Sequence, residues 1–444
     1  MLQYKEEFKS ILIAILIGLF IFGVSLTLFN QTQAILFGLI AMLVALWTSE
    51  VFPLGVVSLL PILLFPAFGV LSTKATTVNY SHPIIFLFLG GFLLAIAVEK
   101  TKLHIYIADK ILGLFPSTPR GMIFSLALTA GFLSSILSNT TTTLLLISIA
   151  LFITDDIKLK MRFALAIAYG ASVGGIITPI GTPPNLILMG IMSEKGMELI
   201  PFIQWIWMVL PLALVMLVVV SSLLSIGVSK TEIYRDKIKH TLDIPQKKVL
   251  FILGGLIFFL LLNTQIGMSE SAMLLAAGLI LFMPPFKILE WNADAPKVPY
   301  QIMFLFGAGF SIAKAFSDTG LADAVASYLL AMTDMPPILL LLSVAVLITF
   351  TTEITSNTAL ISIMLPVIYS VSEQAGINTT LFMMVATVCA SYAFMLPIAT
   401  APNAIAMSSG AVHIKDMIRY GIVLNFVGIF FIVLIAEFFW KNIL

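Results

Sequence analysis

Charge is what this chain has least of. Only 10% of its 444 residues are Asp, Glu, Lys or Arg, where a soluble domain carries about 25%. With 60% hydrophobic residues and a mean hydropathy of +1.10, the composition excludes an ordinary soluble protein and requires a polytopic membrane protein in contact with lipid. The net charge of +1 comes without any basic run interleaved with aromatics, which excludes nucleic acid as a partner. A single cysteine, Cys389, excludes an intramolecular disulfide and a cysteine-ligated metal cluster, and is read as a small packing residue. The four histidines, His82, His104, His240 and His413, are scattered without a ligand spacing and are expected at surfaces or interfaces. No small-residue cleavage site follows the N-terminal apolar run, so that run is expected to span the membrane.

What is abundant is long apolar segments. They fall at about 10–29, 33–49, 54–70, 83–99, 162–192, 202–226, 247–263, 270–285, 301–317, 377–409 and 416–440, which predicts eleven crossings. Two more, about 121–153 and 337–370, are each interrupted by the same triplet, Ser138-Asn139-Thr140 and Ser356-Asn357-Thr358. Lipid offers no hydrogen-bond partners, so a polar, irregular tip at membrane depth survives only where it is buried or lines a cavity. Both segments are therefore read as re-entrant hairpins. Two further segments break at Thr178-Pro179-Ile180-Gly181-Thr182-Pro183-Pro184-Asn185 and at Pro397-Ile398-Ala399-Thr400-Ala401-Pro402-Asn403. Proline removes a backbone donor and frees carbonyls upstream.

The motifs recur at one offset. Phe86-Leu87-Phe88 with Gly91-Phe92 matches Phe304-Leu305-Phe306 with Gly309-Phe310, 218 positions on. Thr101 and Leu103 match Thr319 and Leu321, Asn139 matches Asn357, and Pro179, Thr182, Pro184 and Asn185 match Pro397, Thr400, Pro402 and Asn403. One ungapped offset through separate motifs marks a duplication. An odd number of crossings separates equivalent segments, which predicts the inverted-topology repeat of secondary transporters.

Basic residues set the orientation. With the N-terminus cytoplasmic and the hairpins not crossing, Lys158, Lys160, Arg162, Lys287, Lys297, Lys415, Arg419 and the polar linker at about 227–247 lie inside, and Trp440 and Lys441 at the outer interface. The linker mixes Glu232, Asp236 and Asp243 among its cations and reads as a solvated connector. Glu50 and the Glu99, Lys100, Lys102 group are expected as interfacial anchors.

Free carbonyls with Ser, Thr and Asn oxygens suit a hard monovalent cation such as sodium, while half-helix N-termini and Thr or Asn donors suit an anion. None of the four motif stretches contains arginine or lysine, and the one acidic residue beside them is Glu353. A bound anion must then be neutralised by helix dipoles and co-bound cations. Ser135 stands at the position equivalent to Glu353, which therefore has no paired carboxylate and is expected to accept structural hydrogen bonds near its tip. Neither Ser138 nor Ser356 has a base in its motif, so no enzymatic nucleophile is expected.

The paired triplets, the Gly-Thr-Pro-Pro-Asn and Ala-Thr-Ala-Pro-Asn breaks and the Ile-Phe-Leu-Phe-Leu-Gly-Gly-Phe segment resemble the divalent anion/sodium symporter family, in particular its bacterial sodium-dicarboxylate cotransporters. The resemblance implies an all-α homodimer in the cytoplasmic membrane of a prokaryote, importing C4-dicarboxylates with Na+ by an elevator movement. It implies scaffold helices in 1–82 and 248–300, a first repeat in 83–226, and a second in 301–444 that ends outside. It assigns the substrate to Asn139, Thr140, Ser356, Asn357, Thr358, Thr400 and Ala401. A first sodium site would use Ser134, Ser138, Asn139 and Gly181, and a second Thr352, Thr355, Asn357 and Ala399. Ala401 stands where many relatives have proline, and Thr355 where alanine is common. A sodium-independent exchanger, a sulfate or citrate carrier of the same fold, and, from another class, an anion channel are the alternatives. Moving a dianion inward against 100 mV costs roughly 4.6 kcal/mol, which two sodium ions only cancel. Potential-driven uptake would need a third cation.

Overall fold

The structure is a computed structural model that describes residues 2–49, 51–151, 153–228, 241–262, 267–329 and 335–444. Glu50 and much of the linker, including Lys230, Glu232, Arg235, Asp236, Lys237, Lys239 and His240, lie outside the described residues. Among those described, every regular element is helical.

Four helices come first: α1 (Leu2–Ser25), α2 (Gln31–Ser49), α3 (Leu54–Ala67) and the short α4 (Thr73–Thr77). The next seven are α5 (Pro83–Lys100), α6 (Leu103–Leu112), α7 (Pro119–Ser134), α8 (Asn139–Ala150), α9 (Ile157–Gly175), α10 (Pro183–Glu194) and α11 (Phe202–Leu224). After α12 (Ile244–Leu261), α13 (Glu270–Ile280) and α14 (Trp291–Asp294), seven more follow in the same order. These are α15 (Tyr300–Asp318), α16 (Leu321–Leu329), α17 (Pro337–Thr352), α18 (Asn357–Ala375), α19 (Thr379–Ser391), α20 (Ala401–Ser408) and α21 (Ile414–Phe438). The duplication is thus visible in the backbone: α7 and α17 are both 16 residues long and start 218 positions apart.

Seven described helices are long and apolar enough to cross a membrane unaided; six fall among the eleven expected crossings, and the seventh is α18, an arm of the second expected hairpin. The difference is local chemistry. The proline-rich breaks cut 162–192 into α9 and a 12-residue α10, and 377–409 into α19 and α20, of 13 and 8 residues, so α10, α19 and α20 are too short to reach across alone. Helices α3 and α13 are only 14 and 11 residues long. The second arm of the second hairpin, α18, is 19 residues against 12 for α8, so the two hairpins differ in length.

Glycine sets how closely the first hairpin approaches its neighbour. A Cβ on Gly174 of α9 would lie 2.1 Å from the Gly131 carbonyl oxygen of α7, and one on Gly170 would lie 2.5 Å from that of Ala127. Small residues let the two backbones touch, the usual device of helices packed in lipid. A separate apolar cluster joins Leu36, Leu39 and Leu43 of α2 to Leu305, Ala308 and Phe316 of α15 and to Ala359 and Val367 of α18. His104 departs from the surface role expected of it: it is buried, and its ring Nδ1 pairs with the Val98 carbonyl at 3.2 Å. Trp440 is likewise buried, donating to the Met208 carbonyl at 2.8 Å.

Beyond the spans, Asp294 joins the end of α5 to the connector before α15. It accepts from Lys100 at 2.6 Å, from Lys297 at 2.8 Å and from the Glu290 amide at 2.8 Å. Burial pushes its carboxyl upward, but these hydrogen bonds outweigh it and bring the pKa down to about 2. A depressed carboxyl stabilises the fold above its ordinary value and loses that contribution as pH falls toward the depressed one. Asp294→Asn is accordingly expected to lower stability by about 2 kcal/mol at neutral pH, and thermal melts in detergent should show the gap from wild type closing below about pH 4. Gly174→Ala should cost about 1–3 kcal/mol because backbone must move. In the same assay Gly255→Ala, with nothing within 4 Å of the new methyl, should cost nothing.

Candidate functional site

Both hairpin tips are built alike. Ser134 ends α7, Asn139 opens α8, and the Ser134 hydroxyl donates to Asn139 Oδ1 at 2.5 Å. At the equivalent positions Thr352 ends α17, Asn357 opens α18, and Thr352 Oγ1 donates to Asn357 Oδ1 at 2.7 Å. Each tip asparagine is thereby fixed from behind, with its amide group oriented at the start of a half-helix. Ser138 caps its own tip, accepting from the Thr141 amide at 3.1 Å and donating to Thr141 Oγ1 at 2.9 Å.

The breaks are held by the asparagines that end their motifs. Asn185 Nδ2 donates to the carbonyls of Gly175 and Thr178 at 3.4 and 2.9 Å. Asn403 Nδ2 does the same to Ala393 and Leu396, at 3.0 Å each, again 218 positions on. Pro183 and Pro184, and Pro402, sit in the first turns of α10 and α20, where a missing N–H has no helical partner to lose. Tip and break meet closely in the first half. A Cβ on Gly175 would come 2.7 Å from Asn139 Oδ1, and one on Gly181 would come 2.4 Å from the Gly175 oxygen and 3.2 Å from the Ser134 oxygen. Glycine at both positions keeps open the gap in which these oxygens converge.

The second half is anchored differently. In the first, Thr178 Oγ1 donates to the Ser135 carbonyl at 2.6 Å. In the second, the buried Glu353 carboxylate accepts from the amides of Phe394, Met395 and Leu396 at 2.8–3.1 Å and from Asn425 Nδ2 at 2.6 Å. Thr355 donates its hydroxyl to the Thr351 carbonyl at 2.8 Å, which holds the side chain back along α17.

The two halves face one cavity of about 760 Å³. Ser138, Asn139, Thr140 and Gly181 line it from the first repeat, and Thr355, Ser356, Asn357, Thr358, Ala399, Thr400 and Ala401 from the second. Of the residues expected at a site, Ser134 and Thr352 alone are off the wall, buried one layer behind it against the tip asparagines. No described residue of the wall carries a charge. Helix α2 contributes Trp47, Thr48 and Ser49, and α5 contributes Phe88, Phe92 and Ala95. Sequence reasoning missed these. Phe88 and Phe92 lie in the repeated segment that signalled the duplication, whereas nothing in the pattern of α2 singles out its last turn.

A profile of the citrate transporter family matches residues 42–387. The sodium-dependent dicarboxylate transporter SdcS of Staphylococcus saprophyticus is 30% identical over 483 aligned residues, covering 98% of this chain and 93% of that protein. Among solved structures, the YdaH transporter of Alcanivorax borkumensis has a similar fold, with a TM-score of 0.61 at 15% identity over 93% of this chain and 99% of that one. MtrF of Neisseria gonorrhoeae gives a TM-score of 0.59 at 12% identity over 82% of each chain. The profile spans most of the sequence, SdcS is related along nearly its whole length, and the fold is that of known transporters: the chain belongs to the citrate transporter family, among the divalent anion/sodium symporters that its paired motifs resemble.

Proposed function

We propose that the protein is a secondary active transporter that imports small dicarboxylates of the succinate, malate and fumarate class together with sodium. The observation that carries this reading is one cavity, uncharged along its described wall, that two Ser-Asn-Thr tips and two proline breaks face together. An anion bound there meets hydrogen-bond donors and the N-termini of half-helices, and no fixed cation. Its charge has to be balanced by ions that arrive with it. The name of the relative SdcS, a sodium-dependent dicarboxylate transporter, supports the same pairing of solutes.

Asn139, Thr140, Ser356, Asn357, Thr358, Thr400 and Ala401 hold the two carboxylates. Ser134, Ser138, Asn139 and Gly181 bind one sodium ion, and Thr352, Thr355, Asn357 and Ala399 the other. Each tip asparagine serves both solutes, its Oδ1 toward the cation and its Nδ2 toward the anion, so that loading one orders the other. The protein works as a homodimer in the cytoplasmic membrane, with the repeats moving against a scaffold formed by 1–82 and 248–300. With the N-terminus cytoplasmic, Trp47, Thr48 and Ser49 at the end of α2 and Ile302 at the start of α15 lie toward the cytoplasm, which supports reading the cavity as the inward-facing one.

Labelled succinate uptake into proteoliposomes should require an inward sodium gradient; uptake that ignores the gradient sinks the coupling. Unlabelled succinate, citrate and sulfate added in competition identify the preferred anion. Asn139→Ala and Asn357→Ala should each lower uptake by about 10- to 100-fold, the size of losing a hydrogen bond to a charged group. Thr355→Ala should move the half-saturating sodium concentration by less than about 3-fold, since only a carbonyl is engaged; a larger shift would assign the hydroxyl to the cation.

A further inference from the structure

The two breaks share a sequence plan but not an anchor: in the second half Thr352 Oγ1 also lies 2.9 Å from the Ala390 carbonyl of α19, and Glu353 holds the chain beyond it. Glu353 is 3% exposed, follows Thr352 at the end of α17, and reaches across to the unwound chain that precedes Ala399. Its Oε1 accepts from the Phe394 and Met395 amides and from Asn425 of α21, and its Oε2 accepts from the Met395 and Leu396 amides. Three successive backbone N–H groups thus converge on one carboxylate. Asn403 takes the carbonyls of Ala393 and Leu396 from the other side. Every partner of Glu353 is a donor, which suits a carboxylate with acceptor oxygens only. A protonated acid would need an acceptor for its own O–H.

The backbone records the effect. Helix α9 of the first half runs to Gly175, while α19 stops at Ser391, whose equivalent is position 173, and residues 392–394 are unwound. The amides that a continuing helix would have used are bonded to Glu353 instead. At the first tip the equivalent residue is Ser135, which offers only its carbonyl to Thr178.

We propose that Glu353 is the positioning residue of the second cation site. Its carboxylate sets the course of the second break so that the Ala399 carbonyl and the Thr352–Asn357 pair face one point, and it places a negative charge behind that point which the first site lacks. It touches neither solute; it acts through the amides it holds. The carboxylate is a fixed part of the scaffolding and not a proton carrier. This inference rests on the sodium reading above.

The test measures the sodium dependence of thermal melting on the purified full-length protein at saturating succinate. Wild type, Glu353→Gln and Asn425→Ala are compared. Asn425→Ala removes one peripheral hydrogen bond and leaves three amides on the carboxylate, so it decides the matter if Glu353→Gln does not fold. The half-saturating sodium concentration is expected to rise at least 10-fold in Glu353→Gln and about 3-fold in Asn425→Ala. The Hill coefficient for sodium should fall toward one as the first site titrates alone. A merely structural role would lower the melting temperature in the absence of sodium and leave the sodium midpoint where it was; that result overturns the inference while the sodium reading stands. If wild type itself shows no sodium-dependent shift, both fall together.

Discussion

A helix broken at membrane depth leaves N–H and C=O groups that lipid cannot satisfy, and each costs several kcal/mol if orphaned. The arrangement of this protein follows from meeting that demand at four places. Asn185 and Asn403 close the carbonyl side of each break, Thr178 and Glu353 tie each break to its tip, and Ser134 and Thr352 brace the tip asparagines. Structural partners occupy the rear of each break, so what remains unspent at the front is the set of oxygens and amides facing the cavity.

The duplicated halves solve one problem with different materials. Where the first has Gly131 and Gly174 in backbone contact, the second has Thr349 and Tyr392 at the same positions, both buried, so side chains stand there in place of touching backbones. In the second half α19 ends at Ser391, and the amides of Phe394, Met395 and Leu396 beyond it are bonded to the Glu353 carboxylate. Close glycine packing in one half and a buried charge in the other are alternative ways of fixing a break.

Much of this was legible in the sequence because its chemistry is expensive. A polar triplet in an apolar run, and a proline cluster in a would-be span, have no inexpensive explanation, and repetition at one offset made them into halves of a site. The convergence of both halves on one cavity, and the hydrogen-bond role of Glu353, follow from the same reasoning. The number of full crossings was less legible, since hydropathy records apolar length and not helix length: the apolar segments at about 54–70 and 270–285 hold helices of only 14 and 11 residues. The last turn of α2 was hidden for a different reason: Trp47, Thr48 and Ser49 form an ordinary helix end, and only the fold brings them to the cavity. His104 misled because a lone histidine near a segment end reads as exposed, and its carbonyl partner Val98 is invisible until the chain turns back.

The described wall of the cavity contributes no charge of its own. Under the proposed function, with the Glu353 carboxylate a constant behind the second break, any change in the charge of the site counts its passengers. An empty cavity and one holding an anion with its matching cations carry the same charge, whereas a cavity holding only the anion, or only the cations, adds a bare ion in a medium of low dielectric constant and is expensive to move. Incomplete loads are then held back by electrostatic self-energy alone. Stoichiometric coupling becomes a property of the emptiness of the wall, without a dedicated gate to enforce it.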